Sequence, residues 1–247
     1  MIKFVSIELT NKCAKQSFFC YNESNNLGQT TWQPSDLVSF IKDIEANGVE
    51  AVSFGGGEPH EYEGVFEVLK GTKGVLFRSM TSNGLLLGKS DYFDKLMMCE
   101  PDKVHLSIHF PENKSEVRRV KDQVIKIAEH GVLSGVNLLI RNDNVFEARM
   151  ASDYLKSYGI SNDRIVYLPM RMKNPVSSSK VRFVANDSHF QSISCLAKCG
   201  VSDRFCSISW DKQVGWCSYT KSKTKLNSLD FFSLKEVLTG LKLEYCG

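Results

Sequence analysis

No stretch of this 247-residue sequence approaches the roughly 18 consecutive apolar residues of a membrane-spanning helix, so a helical membrane protein is excluded. The first ten residues, MIKFVSIELT, have neither the long apolar core nor the small-residue cleavage site of a secretory signal, and they alternate like a strand. A cytoplasmic location is expected. Lysines and arginines are scattered with no dense basic run and the net charge is only +3, so the charge reads as solvated surface and no nucleic-acid partner is expected. There is no low-complexity tract, and no internal repeat apart from the alternating units below. What the chain has in quantity is cysteine, eight in all. In a reducing compartment that number argues for metal or cluster ligation, or catalysis, rather than disulfides. Cys13 and Cys20 stand near one end, while Cys195, Cys199, Cys206, Cys217 and Cys246 gather near the other. Cys99 stands alone and reads as a lone buried thiol.

Short apolar strands alternate with helical patterns as far as about residue 172. Strands are expected at 4–9, 50–57, 75–80, 103–110, 134–142 and 164–170. Between them, PSDLVSFIKDIEANG places Leu37, Phe40, Ile41 and Ile44 on one helix face, with Gly48 as its C-terminal cap. YEGVFEVLK and DYFDKLMM are further helices, the second with Ser90 as N-cap. A helix over about 115–130 carries Val117, Val120, Val124, Ile127 and Ala128 on one face, and VFEARMASDYLKSYG completes the series. Six such units predict an α/β fold, a partial (β/α)6 barrel of the TIM type. Chemistry then collects at the strand ends, where TNKC, GGGEP, TSNG, SIHF, RNDN and PMRM lie. Beyond a serine-rich connector at 173–182 the rhythm stops. FCSISW and VGWCSY flank Asp211, Lys212 and Gln213 as a hairpin. A boundary near 180 is therefore expected, with a barrel over 1–180 and a small cysteine-rich module over 181–247 that would benefit from a metal staple. Trp210 and Trp216, on the two hairpin arms, read as packing residues.

The first loop holds Cys13, Ser17 and Cys20 among the aromatics Phe18, Phe19 and Tyr21. Three thiolates there could hold three irons of a [4Fe–4S] cluster and leave the fourth iron open, but serine leaves only two thiolates. A glycine triplet alone reads as a tight turn, a lone His109 as a strand-end hydrogen-bonding group, and Arg141 as a partner for a nearby carboxylate.

The ordered set, C-x3-[C]-x2-C after strand one, GGGEP after strand two and TSNG after strand three, resembles the radical S-adenosylmethionine (radical SAM) superfamily over roughly residues 4–172. The resemblance implies that Cys13 and Cys20 are outer cluster ligands, with Ser17 at the place of the middle cysteine. Phe19 then packs near the adenine. Gly55, Gly56, Gly57, Glu58 and Pro59 receive the methionyl amino group, the glycines by close backbone approach. Ser82 and Asn83 contact polar groups of the cofactor, and Ser107, His109, Arg141 and Asn142 are candidates for its ribose or carboxylate. The tail resembles the SPASM and twitch auxiliary-cluster modules, although it ends on one cysteine rather than a close pair. Cys199, Cys217 and Cys246, with Cys195 or Cys206 as fourth, would hold an auxiliary [4Fe–4S] cluster; a tetrahedral zinc site also accepts four cysteines.

The implied function is reductive cleavage of S-adenosylmethionine and hydrogen abstraction by a 5′-deoxyadenosyl radical. With an auxiliary cluster to take an electron back, this favours oxidation or cross-linking of a ribosomal peptide, or dehydrogenation of a small molecule. An electron donor such as flavodoxin or ferredoxin is implied. Because the sequence starts at strand one, peptide recognition would need a separate leader-binding protein or direct contact. Ser17 is expected to abolish activity, since its hydroxyl is a harder ligand than thiolate and is not ionised at neutral pH. An engineered replacement explains this best, because every other cofactor motif is kept. A naturally degenerate, non-catalytic cluster- or zinc-binding scaffold is the alternative, and a glycyl-radical activating enzyme a third.

Overall fold

The computed structural model describes residues 1–171, 174–186 and 199–244. Six parallel strands follow one another in sheet order: β1 (Phe4–Thr10), β2 (Ala51–Gly56), β3 (Phe77–Ser82), β4 (Lys103–Ile108), β5 (Leu133–Ile140) and β6 (Ile165–Pro169). Helices α1 (Pro34–Ala46), α2 (Val65–Gly71), α3 (Ser90–Met98), α4 (Lys114–Glu129) and α5 (Val145–Ser157) link them. This is the expected α/β architecture of a partial barrel.

Side chains alternate across each strand, and here the alternation separates chemistry from packing. Val5, Ile7 and Leu9, with Val52, Phe54, Met80, Val104, Leu106, Val136 and Leu138, are buried in one core with the apolar helix faces. The intervening residues, Ser6, Ser53, Thr81, Ser107 and Asn137, face a cavity inside the barrel. A β-bulge between Glu8 and Thr10 shifts the register of β1 against β2 where the strand hands over to the first loop.

The helix faces follow the sequence reading in the main. Leu37, Phe40, Ile41 and Ile44 of α1 are buried, Pro34 opens the helix, and Gly48 reverses the chain after it at φ +95°. Asn113 caps α4 by accepting from the amides of Ser115 and Glu116 at 3.0 and 3.2 Å. Ala128, expected on the apolar face of α4, is exposed, because the buried stripe ends at Ile127. Ser90 is the first helical residue of α3 rather than its cap, and Lys89 precedes it without a side-chain bond. β3 lies two residues later than expected, since the polar TSNG residues continue the strand through Ser82. Cys99, apart from the other cysteines in the sequence, is buried as expected, its Sγ 3.7 Å from the Phe66 carbonyl oxygen.

The serine-rich connector contains a helix that sequence patterning missed, α6 (Ser178–Ala185), which buries Val181, Val184 and Ala185 and packs against α5. The segment beyond 180 continues the same sheet. β7 (Phe205–Ile208) pairs parallel with β1, setting Val5 beside Cys206. β8 (Gln213–Gly215) closes the expected hairpin onto β7, with Lys212 in the turn at φ +66°, and β9 (Thr224–Lys225) adds an edge. A further helix, Phe231–Gly240, is capped by Asp230 and tied to α1 by the Phe231 amide donating to Asp43 at 2.6 Å. Trp216 packs as expected and donates to the Leu241 carbonyl at 3.1 Å.

Candidate functional site

The loop after β1 is held at several points. The Cys13 amide donates to the Asn25 carbonyl at 2.8 Å, and the Cys20 amide to the Ser17 carbonyl at 3.0 Å. The Ala14 amide donates to Glu61 at 2.8 Å. Lys15, almost buried, donates to Glu116 at the start of α4 at 2.9 Å, and the same carboxylate oxygen accepts the His109 amide at 2.7 Å. One buried acid thus binds the cluster-type loop to the end of β4.

The GGGEP turn docks on that loop through its backbone. Gly57 donates to the Thr10 carbonyl at 2.6 Å and Glu58 to the Lys12 carbonyl at 2.8 Å. A β-carbon on Gly57 would lie 2.1 Å from the Lys12 oxygen, and one on Gly56, whose φ is +113°, would lie 2.4 Å from the Thr10 oxygen. Gly55 differs. A β-carbon there meets nothing within 4 Å and would project into open space. The Glu58 side chain turns the other way and is fully enclosed. It accepts from Ser82 Oγ at 2.8 Å, the Asn83 amide at 2.8 Å and the His60 amide at 3.2 Å. Burial pushes its carboxyl up to about 7 despite these three donors. GGGEP and TSNG are therefore one joined unit.

Between these loops lies a cavity of about 270 Å³. Cys13, Ser17, Phe19 and Cys20 line it from the first loop, Gly55–Gly57 from β2, Ser82 and Asn83 from β3, and Ser107 and His109 from β4. Asn83 Nδ2 stands 3.9 Å from Cys13 Sγ. Phe19 packs against His109 and Phe110 with ring centroids 5.6 Å apart in each case. Burial holds the His109 imidazole down at about 3, so the ring is neutral, and its Nδ1 has no hydrogen-bond partner among the described residues.

Not every expected site residue reaches the cavity. Glu58 and Pro59 support its wall from behind. Arg141 is buried in pairs with Glu112 at 2.9 Å and Asp143 at 3.0 Å, and it donates to the His109 carbonyl at 3.1 Å. Its guanidinium lies 5.7 Å from the ring centroids of Phe18, Phe19 and Phe110, so it organises the aromatic wall from outside. Asn142 bonds Asn174 at 2.8 Å, away from the cavity. In the tail, Cys206 lies on the helix-facing side of β7 inside the apolar core, where burial pushes its thiol up to about 12. Cys199 and Cys217 are partly buried, and Cys195 and Cys246 lie outside the described residues. Among the described residues no three His, Cys, Asp or Glu side chains gather to hold a metal ion.

Sequence reasoning did not single out Ser6, Ser53, Thr81 and Asn137 on the inner wall, or Tyr21, Arg171 and Tyr219 among the other lining residues, although Thr81 and Arg171 lie in the TSNG and PMRM strand ends it marked. A polar residue at every second position of otherwise apolar strands was the available signal for the first four.

The cavity suits a nucleoside-bearing amino acid. The bare Gly55 edge admits close backbone approach, the unpartnered His109 Nδ1 offers a hydrogen bond, and Phe19 offers a ring face. For a three-thiolate cluster the donor set is one short: Cys13 and Cys20 bring thiols to the cavity and Ser17 brings a hydroxyl.

Residues 7–175 match the family model described as the radical SAM superfamily. A relative from Methanococcus aeolicus, named probable GTP 3′,8-cyclase, is 25% identical over 186 residues, covering 70% of this chain and 62% of its own length. The chain thus spans less than two thirds of that relative. Among solved structures, SuiB of Streptococcus suis bound to S-adenosylmethionine superposes with a TM-score of 0.72 at 13% identity, over 97% of this chain and 67% of SuiB. Native anSMEcpe, solved with AdoMet and the Cp18Cys peptide, gives 0.67 at 12% identity, over 95% and 80% of the two chains. At these identities the structural likeness concerns the fold. The family match spans well over half of the chain and covers the Cys13 loop, the GGGEP turn and the TSNG turn, and the chain belongs to the radical SAM superfamily.

Proposed function

We propose that the chain binds S-adenosylmethionine in the strand-end cavity, and that Ser17 withholds the radical chemistry that a cysteine at this position would permit. The observation that carries this reading is the convergence of Cys13, Ser17, Cys20 and Gly55–Gly57 on one cavity. In proteins that hold it, a [4Fe–4S] cluster supplies the electron that cleaves the sulfonium. This chain's own residues bind and orient. Gly55 receives the methionyl end along bare backbone, Phe19 packs against the adenine, and neutral His109 and Ser107 hydrogen-bond the ribose or carboxylate. Arg141 and Glu58 position these groups without touching the ligand.

The substrate in this reading is a ribosomal peptide that undergoes oxidation or cross-linking, a reading supported by the likeness to anSMEcpe, which was solved with a peptide. Dehydrogenation of a small molecule is the second option. Flavodoxin or ferredoxin would donate the electron, and a separate protein would present a leader peptide. An auxiliary cluster of the SPASM or twitch kind would draw on Cys199 and Cys217 together with Cys195 and Cys246, since Cys206 is committed to the core.

Anaerobic reconstitution of the chain beside a Ser17→Cys variant tests the proposal. The variant is expected to gain about four irons over the parent, the content of one [4Fe–4S] cluster, and to release 5′-deoxyadenosine on reduction with S-adenosylmethionine. The unmodified chain should release none. A variant that gains no iron and makes no deoxyadenosine returns the protein to a non-catalytic scaffold.

A further inference from the structure

The two ends of the open sheet meet at the cavity mouth. Arg171 follows β6 at one edge, Tyr219 follows β8 towards the other, and the Arg171 guanidinium lies 5.4 Å from the Tyr219 ring centroid. Tyr219 is backed in turn by Tyr21, with centroids 4.6 Å apart. We propose that Arg171, seated on Tyr219, recognises a single carboxylate of the substrate, an acidic side chain or chain terminus. The proposal rests on the cavity being the S-adenosylmethionine site, with the substrate filling the remaining mouth.

Among the described residues that line the cavity, Arg171 is the one formally charged side chain and none is acidic. No ion pair engages Arg171 among the described residues. A guanidinium held within cation–π distance of a ring still presents its planar fork of donors, a geometry that takes a carboxylate or a single phosphate oxygen pair through two parallel bonds. One fork matches one carboxylate; a triphosphate would bring several negative charges against a single cation. The site therefore departs from the GTP that names the Methanococcus relative. S-adenosylhomocysteine carries the cofactor's own carboxylate, so its binding to the Arg171 variants separates that group from a carboxylate of the substrate.

The test uses the chain as it stands and needs no cluster. N-acetylglutamate α-amide, with one carboxylate, and its uncharged glutamine isostere are titrated while arginine modification by phenylglyoxal is mapped by mass spectrometry. The charged probe should slow modification of Arg171 several-fold and the isostere should not. Calorimetry should show the charged probe losing about tenfold in affinity in Arg171→Gln, with a smaller loss in Arg171→Lys. Binding of S-adenosylhomocysteine should be unchanged in both variants. Equal protection by the two probes overturns the proposal, as does tighter Arg171-dependent binding of GTP or a parallel loss of S-adenosylhomocysteine. Absence of deoxyadenosine from Ser17→Cys would refute the radical reading while leaving this carboxylate measurement intact, so the two failures are distinct.

Discussion

Ser82 Oγ donates to Glu58 Oε1 at 2.8 Å, joining the end of β3 to the turn after β2 through a carboxyl group that never meets the cavity. The glycine edge is held in place by a side chain on its far side.

Removing this carboxyl should expose its role. Glu58→Ala leaves the Ser82, Asn83 and His60 donors unpaired in a closed space, and a loss of about 1–3 kcal/mol in urea unfolding is expected. Glu58→Gln should cost less. The sign with pH follows from burial, which raises the folded carboxyl from 4.5 to about 7. The folded state holds the proton more tightly, so the contribution of this group is complete below 4.5 and is lost as pH rises through about 7. The stability of the parent relative to Glu58→Gln should therefore fall between these limits, and a flat or rising difference would refute the assignment.

Gly55 and Gly57 should respond oppositely to alanine. Gly55→Ala meets open space and should leave stability within about 0.5 kcal/mol while weakening S-adenosylhomocysteine about tenfold in calorimetry. Gly57→Ala drives a methyl into the Lys12 carbonyl and should lower the melting temperature outright.

The Lys15–Glu116 pair is nearly closed to solvent, with side chains 10% and 8% exposed. Glu116→Gln strands a buried ammonium and the loss should be large, about 3 kcal/mol. Lys15→Met combined with Glu116→Gln should cost less than the sum of the single changes in a double-mutant cycle, and strict additivity would show that the pair is not coupled.

Cys206 offers a clean separation of packing from ligation. Cys206→Ala should keep the full iron content of a reconstituted protein, while Cys206→Ser, which places a hydroxyl in the apolar core, should destabilise it by about 1–3 kcal/mol. A drop in iron with folding intact would instead make Cys206 a ligand.

Much of this arrangement was legible in the sequence, and the rest was hidden for physical reasons. Strand and helix periodicity located the six barrel units, because each strand carries a continuous helix-facing row such as Val5, Ile7 and Leu9. The Cys13 loop and the glycine triplet were found because strand ends concentrate ligand-binding backbone. The resemblance puts Arg141 at the ligand, whereas its residue type at a strand end reads as a partner for a nearby carboxylate, and the structure shows the second: it pairs with Asp143 two positions on and with Glu112, which no local pattern links to it. Clustering along the chain makes Cys206 a candidate fourth ligand because clustering carries no phase; its pairing opposite Val5 places it in the core. Helix α6 escaped because its serines masked the short spacing of Val181, Val184 and Ala185. Arg171 and Tyr219 lie 48 positions apart and meet only because the sheet curls.

The pairing of β1 with β7 sets an order of events in synthesis. One edge of β1 is covered by β2 within the first 56 residues, but the other finds its partner only when Phe205–Ile208 has been made. At about 5–20 residues per second, the strand leading into the Cys13 loop waits on the order of ten seconds or more with an open hydrogen-bonding edge. During that interval the nascent chain carries an unpaired edge at the strand from which its cysteine loop springs.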